Sequence, residues 1–241
     1  MRIFLAGASG VIGRRLTPLL LAAGHAVTGT TRSGEKAQEL KSAGVRPVVV
    51  DVFDSAGLRA AAVTGRPEVV IHQLTDLPDV LDPRELPDWL ERNARLRIEG
   101  TANLVAAAQA AGARRLIAQS IAFAYADGPE PHREDDPLVS AETNAPSATT
   151  ARGVRALEDA VLHAAGIDGI VLRYGRLYGA GTWNTPNARA PLHVDAAAQA
   201  ALSAITRGSP GIYNIAEDDG AVTIDKARKE LGFDPSFRLS T

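Results

Sequence analysis

The chain has 241 residues, 45% of them hydrophobic, with 26 basic against 28 acidic residues, a formal net charge of −2 and no cysteine. Disulfides, thiolate metal sites and a cysteine nucleophile are excluded, and so small and mixed a charge leaves no footprint for nucleic acid or an anionic membrane. No run approaches the roughly 18 apolar residues of a membrane span, and the apolar N-terminus, broken by glycines and followed by Arg14 and Arg15, does not read as a signal peptide. A cytoplasmic protein acting on a small molecule, as a monomer or homodimer, is expected.

Arg2 to Ala6 reads as a strand, and Gly7, Gly10 and Gly13 follow at intervals of three before an apolar-periodic helix from Val11 to Ala23. Such a turn aims unpaired helix N–H groups at an anion, with glycines admitting a diphosphate and letting helix pack on strand. Gly7, Ser9, Gly10, Val11, Ile12 and Gly13 are the expected contacts. The next strand, Ala26 to Thr31, lacks the terminal carboxylate that accepts from an NAD ribose; it ends in Thr30, Thr31, Arg32 and Ser33, which suit a 2′-phosphate and point to NADP(H). Arg14, a cation in the first turn of a helix, costs roughly 0.3 to 1 kcal/mol that a bound anion would offset.

A helix over Glu35 to Ala43 leads to a strand over Val45 to Val52, where Asp51, beside Val52, is placed to accept from an adenine amino group. A short helix, Ala56 to Val63, precedes an apolar strand, Pro67 to His72, that reads as buried on both faces. Beyond its end, Gln73 and Leu74 are candidates for the cofactor side of a cleft and Thr75 for the substrate side.

Asp76 to Pro87 reads as a loop and Trp89 to Ala111 as one long helix carrying Asn93, Gly100, Thr101 and Asn103. A strand over Arg114 to Gln119 runs into Ser120, Ile121 and Tyr125. Asp127 to Pro146 is an acidic, proline-containing surface loop. A helix over Thr149 to Ala165, a strand over Gly169 to Arg173, a helix from His193 through Ile205, a strand over Gly211 to Ile215 and a helix over Asp225 to Leu231 complete the chain. Alternating strands and helices predict an α/β fold with a doubly wound parallel sheet. The histidines are scattered without metal-ligand spacing, so no metal site is expected.

These features together resemble the extended and atypical short-chain dehydrogenase/reductases, often labelled NAD-dependent epimerase/dehydratases. The resemblance is carried by Gly7-xx-Gly10-xx-Gly13, Asp51, Val69 to His72, Asn93 with Gly100-Thr101, the strand before Ser120, Glu134 to Pro137, Leu172 to Gly175 with Tyr178-Gly179, His193 to Asp195, and Ile212 to Asn214. It implies a Rossmann-type nucleotide-binding region over 1–175 and a small, reduced or partly mobile substrate appendage over 176–241 that returns to the core. It also implies cofactor contacts at Asn93, Ser120, Tyr174, Gly175 and Leu177, the last three walling the nicotinamide.

The departures from that family bear on chemistry. Its usual acid/base device is a Ser or Thr after the fifth strand and a Tyr-xxx-Lys pair on the next helix. Counting back from Glu158 puts those two positions at Thr150 and Val154, and counting back from Tyr125 puts the serine position at Ile121, one residue beyond Ser120. No tyrosine or lysine stands between Ala126 and Tyr174, so no shift of register restores the pair. Two junctions, Gly181 to His193 and Asp219 to Ala221, are short for the family and read as places where lid segments are missing from the sequence.

The chain is therefore similar to atypical ketoreductases that tailor polycyclic aromatic polyketides, angucyclinone ketoreductases of the simocyclinone type being the nearest in kind. The carbonyl proton then comes from Ser120, Tyr125, Tyr178, water, or a phenol on the substrate itself, while Thr75, Ile121 and Trp183 meet the substrate. The other reading is a catalytically silent NADP-binding redox sensor.

Overall fold

The protein is described from a computed structural model covering residues 1–76, 82–142 and 146–239. β1 (Arg2–Ala6), β2 (Ala26–Thr31), β3 (Arg46–Val49), β4 (Val69–His72), β5 (Arg115–Ile121), β6 (Asp168–Tyr174) and β9 (Gly211–Ile215) form one seven-stranded sheet in the order β3-β2-β1-β4-β5-β6-β9. Every pairing in it is parallel.

Strand alternation sorts the core into two layers. Ile3, Leu5, Ile71, Ile117, Ile170 and Leu172 pack with Leu16 and Leu20 of α1 (Val11–Ala22), Leu40 of α2 (Gly34–Ser42) and the alanine-rich α7 (Val194–Ser203). Phe4, Ala6, Val70, Leu116, Ala118 and Val171 pack on the other face against Leu58 and Ala62 of α3 (Ser55–Gly65), Leu104 and Ala107 of α5 (Thr101–Ala110) and Leu157 and Val161 of α6 (Pro146–Leu162). Because the strand order reverses between β1 and β4, the loops leaving their carboxyl ends diverge and open a crevice there.

The differences from the expected elements have local causes. The third strand stops at Val49, where β2 runs out of partners at Thr31, and Asp51 turns the chain by accepting from Phe53 N at 2.9 Å. The helix expected from Trp89 begins at Leu86: α4 (Leu86–Arg95) is joined to α5 by a π turn, Leu96–Gly100. Asp76 to Pro87 falls partly, and the end of the loop at Pro146 partly, outside the described residues. What is described of Asp127–Pro146 is not all surface. Leu138 is buried, bridges to Tyr125, and His132 bridges to Val222.

After β6 the chain adds two strands too short for a periodicity to register, β7 (Arg176–Tyr178) and β8 (Pro191–His193), paired in parallel, before β9 rejoins the main sheet. The two short junctions lie side by side, since Asp219 accepts from Ala190 N at 2.8 Å and from Ala221 N at 3.1 Å.

Candidate active site

The β1–α1 turn is built for close approach. Gly7 has φ +87°, and a Cβ there would stand 2.6 Å from Gln73 O; a Cβ at Gly13 would stand 2.2 Å from Gly7 O. Gly10 caps α1 without a side-chain hydrogen bond, so the first N–H groups of the helix, at Val11 and Ile12, are left for an anion. Ser9 Oγ donates to Thr31 Oγ1 at 3.1 Å, and Gly7 N to Thr30 Oγ1 at 3.4 Å, tying the turn to the end of β2. These features fit a nucleotide diphosphate. Arg14 lies 3.9 Å from Glu39, so its charge has an internal partner as well.

Beyond the ends of β2 and β3, a cavity of about 370 Å³ is lined by Arg32, Val48 to Asp51, Asp54 and Gly57. Val52 is buried, and its carbonyl accepts from Asn103 at 3.0 Å. Arg32 also reaches Asp76, at 3.5 Å, a carboxylate that accepts from Arg92 at 3.0 Å. Asp76 follows β4 and Arg32 follows β2, so this contact passes across the end of β1.

On the far side of the crevice, Asn93 holds rather than lines. Its side chain donates to Asp76 O at 2.8 Å and Trp89 O at 3.2 Å and accepts from Asp76 N at 3.0 Å, fixing the segment that carries Gln73, Leu74 and Thr75. Buried Gln73 donates to Tyr174 Oη at 3.3 Å while its Oε1 is buried with no partner, an acceptor left over beside the crevice. Tyr174 is fully buried and donates to Ala197 O, so its ring belongs to the core. Gly175 N donates to Ile215 O at 2.8 Å, and Leu177 packs partly buried on the same core.

The expected proton donors are already engaged, Ser120 and Tyr125 in one buried network and Tyr178 apart from it. Ser120 Oγ donates to Glu158 at 2.7 Å; Glu158 in turn holds Arg173 through contacts of 2.9 and 2.7 Å. Arg173 donates to Tyr125 Oη at 2.8 Å, and Tyr125 donates to Asn214 at 2.7 Å. Tyr178 lies elsewhere, donating to Glu217 at 2.6 Å and accepting from Arg238 at 2.8 Å. The chain has four tyrosines, and each phenol is pushed above its ordinary value, burial being the largest cause at all of them. That is the opposite of what a proton-donating tyrosine at neutral pH needs. Ile121 and Val154 are buried, and Thr150 is half-buried.

His72 ends β4, where the sequence makes it a candidate to line the cleft together with Gln73, Leu74 and Thr75; it is instead fully buried, with both ring nitrogens engaged internally. It accepts from Leu74 N at 3.2 Å on Nδ1, which leaves Nε2 to donate to Thr101 Oγ1 at 3.0 Å. Burial, helped by the Arg97 charge, pulls its pKa down to about 4. Trp183 forms an edge-to-face pair with Trp89 of α4, with centroids 6.2 Å apart. A Cβ at Gly181 would meet Val11 at 3.4 Å, so this segment passes over the start of α1. Phe123 and Arg176 meet at 4.3 Å, a juxtaposition that depends on strand register, which a single sequence does not display. Among the described residues no group of metal-ligating side chains exists, and no helix is long and apolar enough to cross a membrane.

A family model described as "NAD dependent epimerase/dehydratase family" matches residues 3–194. A "3-diazoavenalumate denitrifying reductase" from a Streptomyces species is 41% identical over 242 residues, covering 92% of this chain and 77% of that one. A dTDP-4-dehydrorhamnose reductase of Streptomyces griseus is 32% identical over 180 residues, 75% of this chain and only 51% of its own length. Among solved structures, a Thermotoga maritima UDP-glucose 4-epimerase superposes with TM-score 0.79 at 18% identity, over 99% of this chain and 94% of that one. A yeast methylglyoxal/isovaleraldehyde reductase complexed with NADPH does so with TM-score 0.78 at 16% identity, over 97% and 94%.

Proposed function

This chain belongs to the NAD dependent epimerase/dehydratase family and is a nicotinamide-dependent reductase, and from that premise we propose that it uses NADPH to reduce a ketone on a polycyclic aromatic, polyketide-type substrate that furnishes its own proton. In this reading Gly7, Ser9, Gly10 and the start of α1 hold the diphosphate, Arg32 the 2′-phosphate, and Asp51 and Val52 the adenine side. Gln73, Leu74, Gly175 and Leu177 flank the nicotinamide and Thr75 and Trp183 face the substrate, while the side chains of Tyr174 and Ile121, expected there, are buried in the core. When bound, NADPH supplies the hydride.

The chain's own contribution is orientation, which alone is worth roughly 7 to 11 kcal/mol of a barrier. The observation that carries the reading is the state of the hydroxyls. Counting back from Glu158 puts the family's tyrosine and lysine positions at Thr150 and Val154, no tyrosine or lysine stands between Ala126 and Tyr174, and every tyrosine is a weakened acid locked to an internal partner. A phenol beside the ketone, hydrogen-bonded to it, transfers its proton to the new alkoxide without help from the protein. The setting that fits is cytoplasmic tailoring of an antibiotic-type polyketide.

One observation favours a second acceptor: the 41% identity to a denitrifying reductase of a diazo compound. An aryldiazonium accepts a hydride on its terminal nitrogen and then loses N₂, the hydrogen ending on the ring carbon, so it too needs no acid from the protein. NADPH oxidation, followed by absorbance, against aromatic ketones with and without a neighbouring phenol and against an aryldiazonium separates these outcomes. Turnover of the phenol-bearing ketones alone is the expected result, and turnover of the diazonium alone assigns the second acceptor. Tight NADPH binding with no turnover on any of them overturns the reading in favour of a silent sensor.

A further inference from the structure

At the carboxyl edge of β5 and β6 the sheet presents a cation lying on an aromatic face. Ile121 and Tyr174 are register partners, and Phe123 and Arg176 each follow by two residues, so the two side chains emerge next to one another. The guanidinium carbon of Arg176 stands 4.3 Å from the centre of the Phe123 ring, and Phe123 is 42% exposed.

The backbone beneath both residues is pinned. Ala122 N donates to Tyr174 O at 2.8 Å, and Arg176 N donates to Ala190 O at 2.7 Å. Several other arginines have carboxylate partners: Arg32 and Arg92 share Asp76, Arg173 holds Glu158, and Arg238 holds Glu217. Others, such as Arg155 and Arg207, donate to backbone carbonyls. Among the described residues no carboxylate lies within ion-pair distance of Arg176, whose ring contact satisfies its face but not its edge. A guanidinium held over a ring face can still offer N–H groups to a planar, bidentate anion.

We propose that Arg176, stacked on Phe123, is a subsite for the carboxylate of an aromatic acid. A carboxylate matches the fork, and an aromatic body matches the exposed ring of Phe123. The inference rests on the reductase reading only for taking this edge of the sheet as the substrate side.

Calorimetric titration with 4-hydroxycinnamate and with its primary amide, on the protein with and without NADPH, tests it. The acid is expected to bind at least about tenfold more tightly than the amide, as a charge-assisted bidentate contact should, and Arg176→Gln is expected to erase that preference while leaving NADPH affinity unchanged. Equal binding of acid and amide, binding of neither, or a preference that survives Arg176→Gln overturns the proposal. Failure of NADPH to bind, with the acid preference intact, sinks the reductase reading and leaves this one standing.

Discussion

Arg32 is 63% exposed in its side chain, and its contact with Asp76 is 3.5 Å long. Such a surface pair contributes little and is easily exchanged, and Asp76 retains Arg92 when Arg32 turns to another anion. We therefore expect Arg32→Ala to weaken NADPH by about 1.5 to 3 kcal/mol, the worth of a charged hydrogen bond, and NADH by less than about 0.5 kcal/mol, as measured by equilibrium titration of each. Equal losses for both would mean that Arg32 does not meet the phosphate. The place of Arg32 just after β2 was legible because a strand end, a missing carboxylate and an arginine are all local facts. Asp76 as its partner was not, for the two residues lie 44 apart and meet only because β1 separates β2 from β4. Likewise Ser120 and Tyr125 read as free hydroxyls until α6 and β6 bring Glu158 and Arg173 against them.

At the scale of elements, β4, α5 and the segment after β4 are joined through one neutral imidazole. His72 refuses a proton until about pH 4, whereas in the unfolded chain it titrates near the ordinary 6.5 or so. As pH falls from about 6.5 to about 4, unfolding takes up a proton that folding excludes, so stability declines across that window and is unaffected above it. The loss reaches about 3 kcal/mol at the lower end, from roughly 1.4 kcal/mol per unit. Urea midpoints between pH 7 and pH 4 should fall steeply for the native protein and less steeply for His72→Gln; parallel slopes would show that another group is responsible. The elements themselves were mostly legible, since period-two apolar runs and glycine or proline punctuation are short-range signals. The π turn at Leu96–Gly100 was not, because it arises where Gly100 packs on Val52, a contact between distant segments.

Across the whole molecule, parallel pairing was legible in the alternation of strands and helices; the strand order, which depends on contacts between distant segments, was not, and the crevice follows from that order. The missing Tyr-xxx-Lys pair was legible in the sequence, where no tyrosine or lysine stands between Ala126 and Tyr174. The internal engagement of Ser120, Tyr125 and Tyr178 appears only once the sheet is closed. The central claim is that the substrate, not the chain, provides the proton. The pH dependence of kcat for NADPH oxidation, compared across phenol-bearing ketones whose phenols differ in acidity, tests this most directly. If the substrate provides the proton, the apparent pKa moves with the phenol of each substrate. One that stays fixed in the neutral range for all of them would reveal an acid belonging to the protein and contradict that claim.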